Sequence, residues 1–159
     1  GVHLCDDECA RLAETGSAVA FCPTSNLFLG SGLFNLPMAE KHNLNVGLGT
    51  DVGAGTSFSL LNTLNEAYKV MQLQGLRLNP FKSLYLATLG GARALRLEDR
   101  IGTLQPGTDA DFVVLDYNAT PLLSYRLKQS AGRRRASAAA EQNRATPDEA
   151  DPETGEITP

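Results

Sequence analysis

The sequence has no tryptophan and only three cysteines, two histidines and two methionines among its 159 residues. A low and odd cysteine count does not suit a small secreted scaffold held by disulfides, so reduced thiols and a cytoplasmic location are expected. No apolar run approaches the roughly 18 residues of a membrane-spanning helix. A net charge of -4 offers no basic surface to nucleic acid or to an anionic membrane. These absences predict an ordinary globular domain with neither nucleic acid nor membrane as a partner.

The first ten residues, GVHLCDDECA, have neither the basic segment nor the apolar segment of a secretory signal. The chain also begins with glycine, as expected if it is a piece of a longer protein. Cys5 and Cys9 are four residues apart, with His3 nearby, which is compatible with a metal site. Because no closing Cys or His pair follows at zinc spacing, two small buried side chains are the favoured interpretation.

Short apolar segments alternate with segments of helical spacing over the first hundred residues. The pattern predicts strands at 17–22 and 45–48, helices at 6–14, 38–42 and 60–74, a loop at 24–35, and a helix from Pro80 that breaks at Gly90-Gly91. Asp6 or Asp7 is expected to cap the first helix. The apolar face of the 60–74 helix should comprise Leu60, Leu61, Leu64, Ala67, Tyr68, Met71 and Leu73. This alternation favours an α/β fold with parallel strands.

The pattern changes after residue 100. A Pro-Gly turn is followed by a short β run at 112–115, which predicts a small β element. From Gly132 onward the one large aliphatic or aromatic residue is Ile157, so burial cannot offset the entropy of ordering and disorder is expected. The expected division is therefore a first part at 1–100, a β segment at 101–125 and a disordered tail at 126–159.

Asp51 is the most informative residue for chemistry. It follows a predicted strand in the glycine-rich segment GLGTDVGAG, and strand ends face the active site in parallel α/β folds. A carboxylate there could bind a metal or take a proton; a helix cap or turn aspartate is the structural alternative. A dinucleotide motif fails because Val52 stands where the third glycine is required. Ser25 and Asn26, in the PTSN segment after the other strand, could orient a substrate.

Three stretches of the chain together resemble a known protein family. FCPTSNLFLGSGLFNL, VGLGTDVGAGTSFSLLNTLNEAYKV and YLATLGGARAL followed by RIGTLQPGTDADFVVLD resemble the amidohydrolase superfamily, and in particular its guanine deaminase branch. The resemblance runs from about residue 1 to residue 123. It implies the last strands and helices of a TIM-like (β/α)8 barrel, with part of a small β-sandwich. A complete barrel needs about 200–250 residues, so it could be present only in part.

The resemblance also implies a site and a reaction. Asp51 would bind Zn²⁺ and handle the proton of the attacking water, hydroxide would replace the amino group of guanine, and xanthine and ammonia would result. Ser25 and Asn26 would contact the substrate, and the complete enzyme would be a homodimer. The family's metal-binding histidines and its catalytic glutamate have no match, so this chain alone is expected to be inactive. A chlorohydrolase, another aminoheterocycle deaminase and a non-catalytic binding fragment remain as alternatives.

Overall fold

Two short parallel strands and six helices make up residues 1–112 of the chain. A computed structural model describes the backbone of residues 1–145 and the side chains of residues 1–133. The elements in this first unit are α1 (Asp6–Glu14), β1 (Ala18–Phe21), α2 (Pro23–Phe28), α3 (Leu36–Lys41), β2 (Asn45–Leu48), α4 (Leu60–Leu73), α5 (Pro80–Ala87) and α6 (Leu89–Ala94). The second unit, from Val113 onward, contains α7 (Pro121–Ala145). None of the helices described is long and apolar enough to cross a membrane.

The strands pair in parallel, in a register that sets Ala18 opposite Asn45 and Phe21 opposite Leu48. Both strands and their parallel relation are as predicted. The core forms around them. Phe21 is 1% exposed, and its ring centroid lies 5.0 Å from that of Phe34. The helices contribute Cys9, Leu36, Ala39, Ala67, Val70, Met71 and Leu86 to this core. Val46 of β2 and the connecting residues Leu44 and Leu78 complete it.

Three local predictions are wrong. The N-cap of α1 is Cys5, whose backbone N–H donates to the Glu8 carboxylate at 2.8 Å, rather than Asp6 or Asp7. The segment predicted as a loop from residue 24 begins with a helix, because Pro23 occupies a first-turn position where its fixed φ favours helix. The break between α5 and α6 lies at Thr88, which leaves the helical region (φ −127°, ψ −101°), and Gly90-Gly91 lie inside α6.

The apolar face predicted for α4 is correct only in part. The side chains that α4 buries are Thr63, Ala67, Val70 and Met71. Leu61 and Tyr68 are exposed, and with Leu84 of α5 they line an open groove between the two helices. The helix α4 therefore has apolar residues on two sides, and only one of these sides is buried in the core of this unit.

The predicted strand at 112–115 is not formed. Phe112 and Val113 are 68% and 84% exposed, and no strand within the described part of the chain pairs with this segment. The disorder expected at 126–159 is also wrong as far as Ala145, because α7 continues through it. Alanine, arginine and glutamine favour helix without any burial, and the Thr120 hydroxyl accepts from the N–H of Leu123 at 3.2 Å at the helix start. Residues 146–159 lie outside the described range.

Candidate functional site

The carboxyl ends of β1 and β2 lie side by side, and a polar segment follows each strand. The N–H of Gly49 donates to the carbonyl of Phe21 at 3.0 Å, which joins the two strand ends just before the chains diverge. Residues 22–26 follow β1 and residues 50–55 follow β2. Because the strands are parallel, the first turn of α2 and the turn at 50–55 begin at the same edge of the sheet. This is the arrangement predicted from the two apolar runs and the polar segments after them.

Asp51 lies in a tight turn directly after β2. Its φ is +47°, in the left-handed region that a short polar side chain tolerates better than most. Its carbonyl accepts hydrogen bonds from the N–H groups of Gly55 at 2.6 Å and Ala54 at 3.2 Å. A Cβ on Gly55 would stand 1.9 Å from the carbonyl oxygen of Thr50, so the turn requires glycine there. The turn leaves the residue exposed, as expected for a rim carboxylate.

The Asp51 side chain is held by the first turn of α2. The Ser25 hydroxyl donates to Asp51 Oδ2 at 2.6 Å, and Ser25 itself is 2% exposed. The predicted clustering of these two residues is confirmed. The helix-cap alternative for Asp51 does not hold, because α4 begins at Leu60 and takes Ser59 as its cap.

Asn26 is next to Ser25 on α2 but is not joined to Asp51. It is half-buried, its backbone N–H donates to the carbonyl of Cys22, and no hydrogen bond links its side chain to Asp51 or Ser25 among the residues the structure describes. The structure therefore brings Asn26 to the rim without giving it a partner there.

Two further side chains, of Cys22 and Thr24, lie in the stretch from the end of β1 to the first turn of α2, and the sequence does not single them out as site residues. Cys22 lies at the strand end, and burial raises the pKa of its thiol, as does the negative charge of Asp51. The thiol is therefore held in its neutral form. The Thr24 hydroxyl is buried and has no hydrogen-bond partner within the described residues. Only their position in the sequence could have identified these two residues, because they flank Pro23 in the same CPTSN segment as Ser25 and Asn26.

Among the described residues, Asp51 is the carboxylate that the rim offers to a metal. Carboxylate oxygen is a zinc ligand, and Asp51 is exposed with one of its two oxygens already hydrogen-bonded. No group of three His, Cys, Asp or Glu side chains suited to a metal occurs in the described residues. The residues at the N-terminus do not form one, because Cys5 caps α1 and Cys9 is buried in the core. The chain can thus supply Asp51 as one ligand of a site that needs about three.

The chain is similar to known deaminases in both sequence and structure. It is 60% identical to the guanine deaminase of Escherichia coli over 129 residues, which are 81% of this chain and 29% of that protein. The solved structure of E. coli guanine deaminase matches 80% of this chain and 30% of its own, with a TM-score of 0.77 and 59% identity. A zinc-bound adenosine deaminase from Xanthomonas campestris matches 74% of this chain and 28% of its own, with a TM-score of 0.68 and 34% identity.

The matches cover only part of each relative. The chain spans about 30% of the length of the relatives it matches. The model of the Amidohydrolase family matches residues 1–147, which extends beyond residue 123, where the resemblance of the sequence motifs ended. Because that match covers well over half of the residues, the chain belongs to the Amidohydrolase family.

Proposed function

We propose that this chain contributes part of the active site of a guanine deaminase, which hydrolyses guanine to xanthine and ammonia. The observation that carries the proposal is the rim carboxylate. Asp51 is exposed at the end of a parallel strand and held by Ser25, in a chain 60% identical to E. coli guanine deaminase over the matched residues. A carboxylate at this edge of a parallel α/β fold is in the usual place for catalysis.

In this proposal Asp51 is both metal ligand and proton acceptor. Its carboxylate would hold one coordination position of Zn²⁺, and the remaining ligands would come from outside the described residues. Zinc, when bound, would lower the pKa of water toward neutrality and so make hydroxide available. Asp51 would then accept a proton during the replacement of the amino group, which is the role of a carboxylate in general base catalysis.

The substrate side of the proposal rests on the start of α2. The sequence predicts that both Ser25 and Asn26 contact the substrate, and the positions of the two residues differ. Asn26 is half-buried, and its amide offers both a donor and an acceptor to a purine edge. Ser25 is almost fully buried, and its hydroxyl proton is already donated to Asp51. Asn26 is therefore the better candidate for a direct contact with the base.

The remaining expectations follow from the same proposal. In the complete enzyme, residues 1–100 would belong to the barrel and residues 101–125 to a small β-sandwich. The segment at 112–115 would become a strand there by pairing with a strand from outside the described residues. The complete enzyme would be a cytoplasmic homodimer acting on a small purine.

A chimeric enzyme tests the substrate. The 129-residue segment of E. coli guanine deaminase that matches this chain is replaced by the segment from this chain. We expect the chimera to release ammonia from guanine within about tenfold of the rate of the parent enzyme, since 60% of the exchanged residues are identical, and to leave adenosine unchanged. The parent enzyme and an Asn26→Ala chimera are assayed alongside. A folded chimera that deaminates adenosine in preference to guanine would replace the proposed substrate with that of the adenosine deaminase relative.

A further inference from the structure

The Ser25 hydroxyl is committed to Asp51 and is not free for a ligand. A serine hydroxyl has one proton to donate, and Ser25 donates it to Asp51 Oδ2 at 2.6 Å. With Ser25 only 2% exposed, a substrate could reach this hydroxyl only by displacing its surroundings. Both facts argue against a role in direct substrate binding.

In this hydrogen bond the donor, Ser25, is buried in a helix, whereas the acceptor, the Asp51 carboxylate, is exposed. Pro23 and Thr24 precede Ser25 in the first turn of α2, and both are buried. The Asp51 carboxylate, in contrast, is exposed on a turn with positive φ. Its other oxygen, Oδ1, has no hydrogen-bond partner in the described part of the chain, so Ser25 alone restrains the carboxylate there.

An exposed aspartate without such a restraint samples several staggered rotamers. A hydrogen bond to a charged acceptor is among the stronger ones and selects the rotamer that permits it. Because Oδ2 is occupied by the serine, the selected rotamer leaves Oδ1 as the oxygen available to a metal ion or a proton. Pre-orientation of this kind matters for catalysis, since small misplacements of a reacting group are costly.

We propose that Ser25 is a positioning residue, which holds the Asp51 carboxylate through Oδ2 and leaves Oδ1 for catalysis. The catalytic role of Asp51 in this inference rests on the proposed function. Ser25 is assigned to the Asp51 carboxylate rather than to the substrate. A residue that merely packs in the core would not control the rotamer of an exposed neighbour.

The conformation of Asp51 in the full 159-residue chain tests this directly. Three-bond NMR couplings across the Asp51 Cα–Cβ bond should show one rotamer favoured by roughly tenfold in the wild type, as expected for a charge-assisted hydrogen bond. In Ser25→Ala the staggered rotamers should be populated within about threefold of each other. Ser25→Thr, which keeps the hydroxyl, should restore the preference, and Asn26→Ala should leave it unchanged. An Asp51 rotamer preference that is equal in the wild type and in Ser25→Ala would overturn the proposal.

A second measurement keeps Ser25 and so does not depend on the folding of its variants. The hydroxyl proton of Ser25 should resonate downfield in the wild type, as in a short hydrogen bond to a carboxylate, and should move upfield in Asp51→Ala. The absence of any shift would contradict the hydrogen bond. Neither measurement uses turnover. An inactive chimera would therefore count against the proposed function alone, and a freely rotating Asp51 in the wild type against the positioning role alone.

Discussion

Residues 18–21 and residues 112–115 are both apolar segments of β type, yet only the first forms a strand. Ala18–Phe21 pairs with Asn45–Leu48, and its last residue, Phe21, is buried in the core. Phe112 and the three residues after it are exposed, with no pairing strand in the described part of the chain. The comparison shows that composition makes a segment competent to form a strand, whereas a partner decides whether it does.

The largest effect should come from truncating one phenylalanine in each segment. Phe21→Ala removes a fully buried ring and should lower the free energy of unfolding by about 3–5 kcal/mol. Phe112→Ala changes an exposed side chain and should stay within about 0.5 kcal/mol of the wild type. Urea denaturation followed by circular dichroism measures both. Equal losses for the two variants would show that the 112–115 segment is buried in solution.

The next effect should come from the turn that carries Asp51. Gly55→Ala places a Cβ where the Thr50 carbonyl oxygen lies 1.9 Å away, so the turn must move. We expect a loss of about 1–3 kcal/mol in the free energy of unfolding, as for other cases of overpacking. The Asp51 rotamer measured by NMR should change with it. If both quantities match the wild type, the turn does not have the geometry described.

A glycine in α7 should give a smaller change of the opposite sign. Gly132→Ala meets no atom within 4 Å of the new Cβ, and alanine is favoured over glycine in a helix by about 1 kcal/mol. The helical signal at 222 nm should therefore increase. Ala131→Gly at the neighbouring exposed position is the matched control and should reduce the signal. No response to either change would mean that α7 is not helical in solution.

The smallest effect should come from the surface ion pairs between α1 and α3. Asp6 Oδ1 lies 2.6 Å from both Lys41 Nζ and His42 Nε2. The hydrogen bonds from Lys41 and then His42 hold the pKa of Asp6 below its ordinary value of 3.8. The contribution to stability is therefore present above pH 3.8 and is lost as the pH falls through the folded-state pKa.

Asp6→Asn should accordingly lower the urea midpoint slightly at pH 7. The difference from the wild type should shrink as the pH falls below 3.8 and vanish below the folded-state pKa of Asp6. Asp7→Asn, at a neighbouring residue without an ion pair in the described part of the chain, should leave the midpoint unchanged at both pH values. A gap between Asp6→Asn and the wild type that persists in acid would assign the effect to packing instead.

The sequence predicts the two strands and the rim because both follow from local patterns, namely short apolar runs that are each followed by polar residues. Two apolar runs ending in polar loops are sufficient to place Ser25 near Asp51 once the strands are parallel. The hydrogen bond between these two residues could not be predicted, since it depends on the helix that Pro23 starts. The burial of Cys22 and Thr24 beside this hydrogen bond depends on the same helix.

The failures have different physical causes. The break at Thr88 depends on how α5 and α6 pack on the sheet, and the local sequence would place it at the following glycines. On α4 the apolar positions outnumber those that the core of this unit can cover, so Leu61 and Tyr68 stay exposed. In α7 the helix propensity of the alanine, arginine and glutamine residues acts without a core, so the helix forms although it buries little apolar surface.

The most direct test of the central claim is the rate of ammonia release from guanine by the chimera with Asp51→Asn. The amide keeps the size of the side chain but cannot accept a proton as the carboxylate does. We predict that the rate falls by about 10²–10⁴-fold while the melting temperature stays near that of the unmodified chimera. Asp99→Asn, at another exposed aspartate, should have no effect. A rate for Asp51→Asn within twofold of the unmodified chimera would contradict the assignment of Asp51 to the active site.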